Sequence, residues 1–218
     1  QVKVEGFHFD SRKHLVEYDD VINKQREIVY RRRRKILYGE NQKEGILDKI
    51  SKVIESVVGM YAGGNDMPER DKIIAEFVSI IPFDEASQQQ MLVQLGQFST
   101  AAEMSEFLVG LVGQMYEARE KQMTSEVMRQ VERWVSLQVI DGLWMDHLDA
   151  IDDLREGIGL RGYGQRDPLV EYKNEAFSMF ETLIASIDNE IVHRIFKVQV
   201  QMAPQMQTSD LGRKTAEG

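Results

Sequence analysis

A chain of 218 residues that is 42% apolar is long enough to bury a substantial core. Its net charge of −9 opposes general binding of nucleic acid, whose phosphates it would repel. The absence of cysteine excludes disulfides, thiolate metal sites and cysteine nucleophiles together, and fits a reducing compartment. No stretch approaches the roughly 18 apolar residues of a membrane-spanning helix, and no basic-then-apolar export signal opens the sequence, so a cytoplasmic location is expected.

Residues 1–9 alternate Val2, Val4, Phe7 and Phe9, the period of a strand or extended connector. From Asp10 or Ser11 to about Tyr38 the pattern becomes helical. Leu15, Tyr18, Ile22, Val29 and Ile36 form one thin apolar stripe, with Gln25 and Arg32 or Arg33 at its skipped positions. A helix with so narrow a stripe relies on partners along its length, because packing of that stripe supplies most of its stability. Arg31 to Lys35 is an unbroken basic run. It reads either as a site for an anionic partner or as a solvated helix end whose cations meet the C-terminal dipole.

Gly39 closes this helix, and a compact all-helical insertion follows over residues 40–123. Ile46, Ile50, Val53, Val57 and Tyr61 predict a helix stopping at Gly63-Gly64. Pro68 opens a short one through Ile73, Ile74, Phe77 and Val78, which Pro82 ends. Thr100 and Glu103 have capping-box spacing ahead of a helix through Phe107, Leu111 and Tyr116. Gly110 and Gly113 weaken that last helix unless close packing requires them.

Residues 124–200 hold an antiparallel helical hairpin. Its first arm carries Val131, Trp134, Trp144, Leu148, Ile151, Leu154 and Ile158, with both tryptophans read as core. The second carries Tyr172, Ala176, Phe180, Leu183, Ile187, Ile191 and Val198, and runs to about Val200. Between them, Gly159 to Pro168 is a glycine-rich tip in which glycine ends the first arm, Asp167 caps the second and Pro168 takes its first position. Residues 201–218 are polar and expected to be disordered.

The chemical motifs read mostly as structure. Gly157, Gly159 and Gly162 spell a dinucleotide fingerprint, but that fingerprint works between a strand and the opening of a helix, and here it follows a long helix. Asp146, Asp149 and Asp153 share a helical face without the converging loop a hard cation needs, so they read as solvated, with ion pairs such as Asp152 to Arg155. His8, His14, His147 and His193 lack zinc spacing. No nucleophile elbow or phosphate loop is present, and no cofactor or metal is expected.

Val4-Glu5-Gly6-Phe7-His8-Phe9-Asp10-Ser11-Arg12-Lys13-His14-Leu15-Val16-Glu17-Tyr18-Asp19-Asp20-Val21-Ile22-Asn23-Lys24-Gln25-Arg26 resembles the entry into the helical scaffold of the SecA family of preprotein translocase motors. Leu143-Trp144, His147-Leu148, Leu154-Arg155, Gly157-Ile158, Leu160-Arg161-Gly162-Tyr163, Asp167-Pro168, Glu171-Tyr172 and Phe177-Ser178-Met179-Phe180 are similar to its two-helix finger. The resemblance implies an all-α piece of a larger motor: a scaffold helix over 1–39, a helical wing over 40–123 and a scaffold finger over 124–200. ATP and Mg would belong to motor folds not matched here, so the piece itself would not be an enzyme. It implies preprotein and SecY-channel contact at the finger tip, Leu160, Arg161, Gly162, Tyr163 and Gly164. It also implies packing of Leu15, Tyr18, Ile22 and Val29 on the motor folds, and a peripheral place at the inner face of the plasma membrane beside an anionic surface. The family's C-terminal zinc motif has no counterpart in 201–218. Alone, such a chain is expected to self-associate. The alternative is a free-standing helical interaction scaffold.

Overall fold

The computed structural model describes the backbone of residues 2–39, 41–63, 67–161 and 167–199, and the side chains of all these except 2–15 and 159–161. Among the described residues the fold is all helix, with seven α-helices and no strand. They are α1 (Val2–Leu37), α2 (Lys43–Ala62), α3 (Arg70–Ile80), α4 (Glu85–Leu95), α5 (Ala101–Met123), α6 (Ser125–Arg161) and α7 (Pro168–Ile195).

Helix α1 begins at Val2, so the segment expected to be extended is helical over residues 2–9 instead. A strand leaves its backbone groups unpaired unless another strand lies beside it, whereas a helix satisfies them within its own segment. The far end is as expected: Gly39 adopts φ +82, the left-handed turn that lets the chain leave a helix without a Cβ clash.

Helices α2 to α5 pack on one another. Ile46, Ile50, Ile54 and Val58 of α2 and Met104, Leu108, Val112 and Tyr116 of α5 are the fully buried rows. Val53, Val57, Tyr61, Phe107 and Leu111, which the sequence suggested, flank these rows half-buried. Helix α3 adds Ile73, Ile74, Phe77 and Ile80. Helix α4 has no counterpart among the predicted elements, because its glutamine-rich sequence buries only Met91 and Leu95. Its one clear signal is Asp84, whose carboxylate accepts from Ser87 N–H at 2.8 Å. The capping box of α5 forms: Glu103 N–H reaches Thr100 Oγ1 at 3.2 Å, and Thr100 N–H reaches Glu103 Oε2 at 3.1 Å. A Cβ placed at Gly110 or Gly113 would meet nothing within 4 Å, so neither glycine answers to close packing.

Thr124, at φ 77, joins α5 to α6. Helix α6 continues past Gly157 and Gly159 to Arg161, further than the expected stop at the glycines. Ile158 is buried there against Ile151, Tyr172 and Ala176, and packing of this kind offsets the roughly 1 kcal/mol that a glycine costs a helix. At the start of α7, Asp167 accepts from Leu169 N–H at 2.9 Å with Pro168 in the first turn. The helix ends at Ile195 with Phe196 as its C-cap, short of the expected Val200.

One core runs from α1 and α6/α7 into α2–α5. A smaller one, Ile151, Ile158, Tyr172 and Ala176 with Tyr18, Val21, Ile22, Leu154 and Met179 around it, lies further along the hairpin.

Candidate functional site

The hairpin is the longest feature of the molecule. With 37 residues in α6 and 28 in α7, its arms measure roughly 55 and 42 Å at 1.5 Å per residue. Tyr172, Ala176, Phe180, Leu183, Ile187 and Ile191 are all buried on α7, which matches the stripe read from sequence. On α6, Val131, Trp144, Ile151 and Ile158 are buried, but Trp134 is 56% exposed and is not a core residue. The α6 core face at that level is Met128, Glu132, Val135, Ser136 and Val139, and helical geometry turns Trp134 away from it.

Helix α1 lies along both arms and is tied to each. Tyr18 packs on Tyr172 with ring centroids 4.7 Å apart. Arg155 reaches Asp19 across the helices at 3.1 Å, with its guanidinium 6.0 Å from the Tyr18 ring centre; this replaces the expected pair with Asp152. Further along, Gln25 is buried and donates from Nε2 to the Ala176 carbonyl in the middle of α7 at 2.9 Å. Its Oε1 faces His147 Nε2 of α6 at 2.8 Å. An amide oxygen can only accept, so the imidazole N–H donates and His147 is the Nε2–H tautomer. Burial holds the His147 pKa below the usual imidazole value, because a charged ring is poorly solvated between Trp144 and Phe180. His147 therefore belongs to the core and not to the solvated carboxylate face around it. No zinc-like spacing marked it in the sequence; the signal was its place among the buried positions of α6, opposite a polar break in the α1 stripe.

The basic run divides. Arg33 pairs with Asp141 of α6 at 2.8 and 3.2 Å. Arg32 pairs with Asp188 of α7, which also lies 3.8 Å from Lys49 of α2. Arg31, Arg34 and Lys35 are exposed. Beside them a groove of about 720 Å³ runs between α1 and α6, lined among others by Tyr30, Arg34, Leu37, Tyr38 and Met145.

A second buried polar cluster joins α2, α5 and α6. Tyr116 donates its hydroxyl to Glu132 Oε1. Arg129 lies 3.0 Å from Glu132 and 2.7 Å from Glu120, which Lys43 holds at 2.6 Å. Burial raises the Glu132 pKa, whereas the hydrogen bond from Lys43 chiefly lowers that of Glu120. Arg119, also of α5, donates to the carbonyls of Phe196 and Val198 and so holds the chain as it leaves α7.

Of the sites inferred from sequence, the tip residues Gly162, Tyr163 and Gly164 and the side chains of Leu160, Arg161 and Leu15 lie outside the described residues. Tyr18 and Ile22 are half-buried against the hairpin, and Val29 is 1% exposed. Val29, assigned above to motor packing, is therefore enclosed within this chain, because the nearest apolar surface to the stripe is its own hairpin. Among the described residues, the apolar side chains left outward on α1 and the turn after it include Val16, Ile28, Tyr30, Leu37 and Tyr38.

The described residues contain no group of acidic, histidine or cysteine side chains able to hold a metal ion, and no helix long and apolar enough to cross a membrane.

Comparison with known families matches residues 1–199 to the SecA wing and scaffold domain. The chain belongs to this SecA family. It is 43% identical over 215 residues to the protein translocase subunit SecA of Pelotomaculum thermopropionicum, covering 95% of this chain and 23% of that protein. For the SecA of Syntrophomonas wolfei the identity is 44% over 211 residues, covering 94% and 25%, and for that of Heliobacterium modesticaldum 41% over 203, covering 93% and 24%. The chain thus spans about a quarter of the length of the relatives it matches. What it covers is the wing and scaffold, a non-motor region of SecA.

Proposed function

We propose that this segment couples conformational change in the nucleotide-binding folds of a SecA motor to movement of preprotein through the SecYEG channel, and has no ATPase activity of its own. Residues 1–39 and 124–200 act as scaffold, and residues 40–123 as the wing. The observation that carries this reading is the docking of α1 along both hairpin arms, through the Gln25 bridge to His147 and Ala176 and the packing of Tyr18 on Tyr172. A displacement of α1 is passed directly to the hairpin, and the arm length turns it into a larger movement at the tip. Outside partners would meet α1 on its outward apolar residues, the motor folds among them, with an anionic membrane surface near the exposed cations. The location that follows is cytoplasmic and peripheral to the membrane.

Tyr163 at the tip suits a sequence-tolerant grip on a passing chain, since an aromatic face contacts many side chains about equally well and has few rotamers to lose. The test is Tyr163→Ala in a full-length motor carrying this segment. ATP hydrolysis and the melting of the segment should stay near wild type while preprotein translocation falls at least tenfold. Normal translocation by that variant, with the segment folded, would refute the role of the tip.

A further inference from the structure

We propose that Gln25 and His147 form a register latch, the contact that fixes where along the hairpin α1 sits. The α1 residues facing the hairpin, Tyr18, Ile22, Gln25, Val29 and Ile36, recur at steps of three, four or seven. A slide of one turn therefore brings another apolar residue, Ile22 or Val29, to the level of His147. Apolar contact is non-directional and distinguishes such registers weakly. The polar pair distinguishes them sharply. Gln25 is 6% and His147 6% exposed, and each of the two bonds at 2.8 and 2.9 Å requires its partner at one height. After a one-turn slide the imidazole N–H and the Gln25 amide oxygen would both be buried and unpaired, which is disfavoured well beyond the small differences in apolar contact.

Arg155 with Asp19, Arg33 with Asp141 and Arg32 with Asp188 also tie α1 to the hairpin, and each of these pairs joins partly exposed groups. Such pairs contribute little and join long side chains that tolerate displacement. The latch sits where α1, α6 and α7 meet through hydrogen bonds whose donors and acceptors are enclosed. Its use in transmitting motor movement rests on the function proposed above, but the register itself can be read without any motor.

The chain has no cysteine, so two exposed positions far apart along the helix axis, Asp20→Cys on α1 and Asn189→Cys on α7, can carry spin labels cleanly. The wild-type pairing should give one narrow interlabel distance. The double variant Gln25→Leu with His147→Leu keeps the site filled and apolar, and should add a second distance displaced by roughly one helical turn, about 5 Å. Gln25→Asn, a methylene too short to reach both partners, should do the same with less change to the core, and decides the matter if the double variant does not fold cooperatively. Asp19→Asn with Arg155→Gln should leave the single distance unchanged. One unaltered distance in folded latch variants, or a shift produced instead by removing the Asp19–Arg155 pair, would overturn the latch.

Discussion

Replacing Tyr116 by Phe removes one hydroxyl from a site where almost nothing else can change. Tyr116 is 0% and its acceptor Glu132 1% exposed, the ring stays, and water has little access. Glu132 Oε1 keeps Arg129 at 3.0 Å, but its Oε2 already has no hydrogen-bond partner, so the carboxylate is left with a single neighbour. Losing a hydrogen bond to a buried charged group costs about 1.5–3 kcal/mol, a fall in melting temperature of roughly 3–12 °C for a chain of this size. The effect should depend on pH. Burial raises the folded pKa of Glu132 above its unfolded value, so the associated stability is fully present below the unfolded pKa and is lost as pH rises through the folded one. The Tyr116 hydroxyl moderates that rise, and without it the ionised form is costlier still. Thermal melts followed by circular dichroism should show a large loss at about pH 8 and a smaller one at about pH 4.5, where protonated Glu132 needs the donor less. Equal losses at both pH values, or a loss under about 0.5 kcal/mol at the higher one, would refute a charge-assisted role for the hydroxyl.

Gly113→Ala should stabilise the chain by about 1 kcal/mol, since its added Cβ meets open space, whereas Gly39→Ala should destabilise it by about 1–2 kcal/mol because of the positive φ there. Chemical denaturation midpoints check both. His147 gives a pH dependence of opposite sign to that of Glu132. Its folded pKa is depressed, so as pH falls below the unfolded value of about 6.5 the unfolded chain gains a proton that the folded chain resists, and stability drops until the folded pKa is reached. Comparing wild type with His147→Leu at about pH 7.5 and pH 5 should show that part of the slope vanish in the variant.

Several local features could be read directly because neighbours in sequence decide them. The Thr100–Glu103 box, the Asp167 cap with Pro168, and the left-handed Gly39 all formed where their residue types require. The buried α7 stripe was equally legible, since one helix face packs continuously on a single set of partners. Helix α4 was not, because four glutamines interrupt its apolar pattern and its stability comes from packing on α3. Trp134 was misplaced for a related reason: an aromatic residue three positions from Val131 satisfies a spacing rule, while the face that is buried depends on which neighbours surround α6.

The sequence by itself determined the helical class, the hairpin, the helix caps and, through long stretches shared with SecA, the family. Those properties follow from interactions within about one or two helical turns, or from residue order alone. Only the tertiary structure decided that Gln25 and His147 meet, that Arg155 turns to Asp19 and not Asp152, that Val29 faces its own hairpin, and that Glu132 is buried beneath Tyr116. A polar residue within an apolar stripe is equally compatible with solvent and with a partner. Which it meets is set by how separate helices are placed against one another, for Gln25 and His147 across 122 residues of chain, and no local pattern encodes that placement.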